Sequence, residues 1–221
     1  MAAFFPGATS LAAFLLASLV LAVTPGPGVV YVVARTLSQG RLAGLSSVAG
    51  VALGNLCNAL GASLGLAALF AVSASAFTVV KFAGAGYLLV LGWRALRQPA
   101  ADAAGPFVAP ARAARIFRDG FFVALLNPKT MLFFAAFLPQ FIDAAAPPML
   151  QTVALGGLFV LVAACSDSAY VWLAAWFAPW LRRRSNTPAL GRIAVAVVYG
   201  GLGLWTLFAE THANAVRSTP P

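Results

Sequence analysis

Thr24-Pro25-Gly26-Pro27-Gly28 interrupts an apolar run that begins near Thr9 and continues to Ala34, long enough to cross a bilayer. Proline lacks an N–H and its ring clashes with the turn before it, so a regular helix cannot pass through this stretch. Inside hydrocarbon the carbonyls so released are tolerable only against protein, water or a ligand. A second interruption, Asn127-Pro128-Lys129, falls in another apolar run. One broken helix in each half of a small membrane chain is the pattern of a secondary transporter with its site between half-helices.

Composition supports a membrane protein. Hydrophobic residues make up 62% of the 221 positions and charged residues 9%, which excludes an ordinary soluble core. Leu42 to Val80 carries no Asp, Glu, Lys or Arg, and it is nearly long enough for two crossings at about 20 residues each. Met1 to Leu11 has no positive charge ahead of its apolar residues and no small-residue cleavage site, so it reads as the start of a span, not a removable signal. Cys57 and Cys165 fall inside spans and are expected to be small buried residues, not a disulfide.

Hydropathy predicts six helices, near 9–34, 43–69, 73–95, 120–142, 150–178 and 190–210, with five helices and one long central segment as the competing count. The net charge of +9 is concentrated in connectors: Arg35 and Arg41; Arg94 to Arg118; Arg182 to Arg184 with Arg192. This alternation marks those connectors as cytoplasmic and argues against nucleic acid as partner. An even number of spans then leaves both termini on the outer side. The fold class expected is an all-α integral membrane protein of two inverted three-helix repeats with helices one and four broken. Residues 1–97 form the first repeat, 98–118 a cytoplasmic linker rich in proline and alanine, and 119–221 the second repeat.

Thr24, Pro25, Gly26, Pro27 and Gly28 are candidate substrate-binding residues through backbone, because unwound carbonyls suit an ammonium and restarted amides suit a carboxylate. A simple kink is the alternative. Asn127, Pro128 and Lys129 form the matching candidate. Lys129 lies about 13 Å along its helix from Gly120, where an ammonium must pair or snorkel. Asp167, between Ser166 and Ser168, is the sole acid deep in a span. It is a candidate for substrate binding, for carrying a proton, or for a structural pair with Lys129. Ser47, Gly50, Gly54, Asn58, Gly61 and Gly65 fall along one helical stripe, with Asn55 beside it. Asn55 and Asn58 serve either helix–helix contact or substrate. Tyr87, Trp93, Trp172, Trp176 and Trp180 suit packing or an interfacial belt, and His212, the single histidine, suits solvent. No zinc spacing, phosphate loop or nucleophile elbow occurs, so neither an enzyme nor a cofactor or resident metal is expected.

Thr24 to Gly28 followed by Arg35 to Gly54, Lys81-x-x-Gly84-x-x-Tyr87-Leu88 with Leu91-Gly92-Trp93-Arg94, and Asn127-Pro128-Lys129 with Phe133-Phe134 and Phe137-Leu138-Pro139-Gln140-Phe141 together resemble the LysE/RhtB family of amino-acid exporters. The resemblance implies export of amino acids or derivatives across the bacterial inner membrane, driven by the proton gradient. It carries over Pro25, Pro27, Asn127, Pro128 and Lys129 as motif positions, and Asp167 from the fifth helix. The family often places a polar residue directly after Pro-Gly-Pro; here that residue is Gly28, so a ligand role there belongs to the backbone. With only one buried acid, a neutral substrate such as threonine, homoserine or leucine is expected over a dibasic one. The alternatives are a metal-cation exporter of related fold and a non-transport structural or signalling membrane protein. The expected partners are the amino acid, protons and the lipid bilayer, with a homo-oligomer open because the glycine stripe suits either use.

Overall fold

The two prolines of the first break set where the chain bends. In the computed structural model α1, Ala8–Val23, ends in Thr24 with extended backbone (φ −68°, ψ 117°). Gly26 is also extended, and α2, Pro27–Gln39, starts with proline at its first helical position, where the missing N–H costs no helical bond. α1 and α2 meet at 49°. Gly40, at φ 86° and ψ −178°, ends α2 with a positive φ that glycine adopts without strain.

The structure describes residues 5–63, 74–97, 113–143 and 146–184, with 197, 200, 201 and 204. Among them there is no strand. α3 spans Arg41–Ser63, α4 Ala74–Arg97 and α5 Ala113–Leu125. The second break follows: Asn127 caps α6, Pro128–Leu132, which continues as a π-helical turn (Phe133–Phe137) and a 3-10 turn (Leu138–Phe141). α5 and the segment Pro128–Phe141 meet at 47°. α7, Pro148–Arg184, completes the described helices apart from the isolated helical positions near the C-terminus. By length and composition α3 and α7 can cross a membrane, and each bent pair adds one crossing if it is a single span. Most of the sixth predicted span, most of the 98–118 stretch and the end of span two lie outside the described residues. α5 already begins at Ala113, within the stretch read as linker.

α3 is the central element, packed most extensively on α5 and α7. Its small-residue stripe meets α5. A Cβ on Gly50 would run into the Phe117 carbonyl, and one on Gly54 would lie 2.5 Å from the Phe121 carbonyl oxygen. Small side chains thus let two backbones approach in the manner common to membrane helices. Phe14, Phe133, Phe134 and Phe159 build one apolar cluster around the second break, the last two rings edge to face at 5.2 Å. Trp172, Trp176 and Trp180 are exposed along α7, with Arg41 stacked 4.7 Å from the Trp172 ring centre. The cysteines are free. Cys57 is half-buried, whereas Cys165 faces outward from α7, contrary to the expectation that both are buried. Hydropathy alone does not reveal which face of so apolar a helix turns inward.

Candidate functional site

Breaking a helix strands the carbonyls whose i+4 partners have been removed, and each must find another donor. Pro25 cannot serve Leu21, and Pro27 cannot serve Val23. The Leu21 carbonyl accepts from Lys129 Nζ at 2.7 Å, and the Val23 carbonyl from the Tyr170 hydroxyl at 2.7 Å. The two carbonyls interleaved with these are also occupied: Ala22 accepts from Ser166 Oγ at 3.3 Å, and Thr24 accepts from Lys129 Nζ at 2.6 Å. The second break follows the same rule. Pro128 has no N–H for the Ala124 carbonyl, which accepts from Asn58 Nδ2 at 3.0 Å and from the Asn127 N–H at 3.1 Å.

Lys129 therefore joins the two breaks. Its backbone N–H donates to Asn127 Oδ1 at 3.1 Å, which caps α6, while its ammonium closes the end of α1. Gly26 makes room for the lysine stem: a Cβ there would lie 3.3 Å from Lys129 Cδ. Asp167 on α7 is 5% exposed and feels the Lys129 charge without reaching it in an ion pair. Both residues line a cavity enclosing about 410 Å³ of empty space, its open mouth included.

The lining brings together Thr24, Gly26, Gly28, Asn55, Asn127, Lys129 and Asp167 from the sequence candidates. Pro25, Pro27, Pro128 and Asn58 do not line it; the prolines shape the breaks, and the Asn58 amide is bound to α5. The Gly28 and Val29 amides precede the first intrahelical bond of α2, from the Val30 N–H to the Gly26 carbonyl. Thus a helix N-terminus and its partial positive charge face the cavity. Val51, Thr130, Phe159 and Ala163 complete much of the wall. Sequence reasoning passed over Tyr170 and Thr130. The signal for Tyr170 was a hydroxyl one turn from Asp167 on the same helix face.

A second polar cluster also escaped the sequence, in which Arg35 stands only as a connector charge. Asp119 on α5 is 2% exposed and lies 3.4 Å from Arg35 on α2. The Tyr87 hydroxyl of α4 donates to its other oxygen at 3.1 Å. Tyr31 donates to the Ile116 carbonyl at 2.7 Å, with Arg35 over its ring. This cluster ties three helices together.

A family model described as LysE type translocator matches residues 19–209, most of the chain. The chain belongs to the LysE-type translocator family. A homoserine/homoserine lactone efflux protein of Salmonella typhimurium is 32% identical over 81% of this translocator and 87% of its own length. A leucine efflux protein of Salmonella choleraesuis is 27% identical over 85% and 90%, and an uncharacterized membrane protein of Pseudomonas aeruginosa 32% over 90% and 94%. No solved structure matches the chain. This LysE-type translocator is thus a multi-pass membrane protein whose two helix breaks, Lys129 and Asp167 share one cavity.

Proposed function

We propose that this translocator exports neutral amino acids from the bacterial cytoplasm through the cavity at its two helix breaks. The observation that carries the reading is the convergence of the α2 amide end, Lys129 and Asp167 on one open-mouthed cavity. An amino acid carries one carboxylate and one ammonium, and the wall offers a counterpart for each. Its carboxylate meets the Gly28 and Val29 amides and the Lys129 ammonium. Its ammonium meets Asp167. The α1 carbonyls are already taken by Lys129, Ser166 and Tyr170, so they are not the first ammonium partner. A single carboxylate and scattered amides make a poor oxygen cage for a metal ion, and among the described residues no three His, Cys, Asp or Glu side chains cluster.

The two halves, 1–97 and 119–221, move against each other around this site as inverted repeats, with both termini outside the inner membrane. Proton uptake by Asp167 from the outer side removes the counter-charge of the ammonium and releases the substrate. The test is intracellular amino-acid accumulation in dipeptide-fed cells with and without the protein. Export lowers the pool of at least one neutral amino acid; no difference for any amino acid counts against it. For the coupling step, Asp167→Asn in vesicles is expected to abolish substrate-dependent proton uptake together with efflux. Unchanged coupling removes Asp167 as the carrier.

A further inference from the structure

The carbonyls at a helix C-terminus attract cations, and the C-terminal ends of broken membrane helices are suited to coordinating them. The end of α1 opens on the cavity and already holds a cation. Lys129 Nζ lies 2.7 Å from the Leu21 carbonyl oxygen and 2.6 Å from that of Thr24, and all three residues line the cavity. The cation arrives from the other break. Its stem passes Gly26, where a Cβ would lie 3.3 Å from Lys129 Cδ and 3.7 Å from Nζ. Asp167 lines the same space, 5% exposed, and accepts no hydrogen bond among the described residues. A buried carboxylate without a donor calls for an explanation. The Ala22 and Val23 carbonyls are bonded by Ser166 and Tyr170 of α7, the helix of Asp167. Lys129 is the donor that can leave, because its ammonium ends a flexible stem and has a third N–H beyond the two already used.

We infer that the end of α1 and Asp167 form a site for a primary ammonium, which Lys129 fills from within when no substrate is bound and which the substrate's ammonium takes over. The last step rests on the amino-acid export reading above and deepens it. An amino acid carries its ammonium and carboxylate on one carbon. Only Pro25 separates Thr24, the cap of α1, from Gly26, the cap of α2, so one small zwitterion reaches both helix ends. A carboxylate at the Gly28 and Val29 amides draws the third N–H of Lys129. As the side chain turns, the Leu21 and Thr24 carbonyls lose their donor. The substrate ammonium, first held by Asp167, then supplies it. After release the lysine returns, so the α1 carbonyls and Asp167 are never left in hydrocarbon without a nearby cation. Lys129 is thus a tethered stand-in for the cargo, and it holds the two breaks together while the protein is empty.

The experiment reads the melting temperature of the full-length protein in detergent, so it does not depend on efflux. Lys129→Ala removes the ammonium and most of its stem, which leaves room for propylammonium. The variant is expected to melt below the wild type, and propylammonium to restore most of that loss in a saturable manner. Tetramethylammonium, a cation without N–H, restores none at equal concentration, and the wild type responds to neither. A neutral amino acid in excess raises the propylammonium concentration needed for half the effect, because the α2 amides still receive its carboxylate. Its N-acetyl derivative, which lacks the ammonium, does not. If the alanine variant fails to reach the membrane, Lys129→Met, which keeps an apolar stem, is read with ammonium chloride against tetramethylammonium. Equal effects of the two cations, no effect of either, or an equal response of the wild type overturns the ammonium site. Restoration by propylammonium without competition from the amino acid overturns the exchange and leaves export standing. Absence of efflux by the wild type in vesicles overturns the export reading and the exchange with it, while the propylammonium result still decides the site.

Discussion

Three prolines each delete one helical donor, and three side chains from distant positions replace those donors. Lys129 serves Leu21 in place of Pro25, Tyr170 serves Val23 in place of Pro27, and Asn58 serves Ala124 in place of Pro128. The replacement is tertiary, which makes each break sensitive to residues on other helices. Tyr170→Phe removes the donor to the Val23 carbonyl without altering shape. It is expected to lower stability by about 1 kcal/mol, read as a reduced melting temperature in detergent. Because Tyr170 closes the break beside Asp167, slower efflux is expected alongside that loss. Full activity and an unchanged melting temperature in Tyr170→Phe would show that the Val23 carbonyl needs no such partner.

Elements show why part of this site was legible in sequence and part was not. Proline chemistry is local, so both breaks stand where Pro25, Pro27 and Pro128 put them. A buried lysine or aspartate is conspicuous in an apolar run, so Lys129 and Asp167 were visible as candidates. Their neighbours were not. Tyr170 meets Val23 across 147 positions of chain and Lys129 meets Leu21 across 108, and no local pattern encodes such pairings. Asp119 was hidden for another reason: it immediately precedes the apolar run from Gly120, where a charge normally marks a water-facing end. The α3 glycine stripe was legible as a packing face, and α5 is the helix it meets. Gly50→Val drives a side chain into the Phe117 carbonyl and is expected to abolish stable folding. Gly86→Ala on α4 meets open space and is expected to be neutral or to stabilise by up to about 1 kcal/mol. Yield and melting temperature in detergent distinguish the two, and similar behaviour of both variants would contradict the close approach of α3 and α5.

Among the described residues, the buried carboxylates stand at two places in an otherwise apolar molecule. One is the cavity. The other is the Asp119 cluster, where Arg35 of α2 and Tyr87 of α4 meet a carboxylate of α5. Asp119→Ala takes away the acceptor of both and leaves a cation with poorer compensation, an expected loss of about 3 kcal/mol seen as a lower melting temperature. A melting temperature equal to that of the wild type would show that the cluster does not hold α2, α4 and α5 together. The central claim concerns the cavity: an amino acid crosses the membrane by offering its carboxylate to Lys129 and its ammonium to Asp167. Efflux of a labelled neutral amino acid from vesicles containing wild type, Lys129→Met or Asp167→Asn, at matched protein content, tests it most directly. The account predicts rapid efflux by the wild type and at least about a hundredfold loss in each variant, because each leaves one substrate charge buried without its partner. Efflux by both variants at the wild-type rate would contradict it.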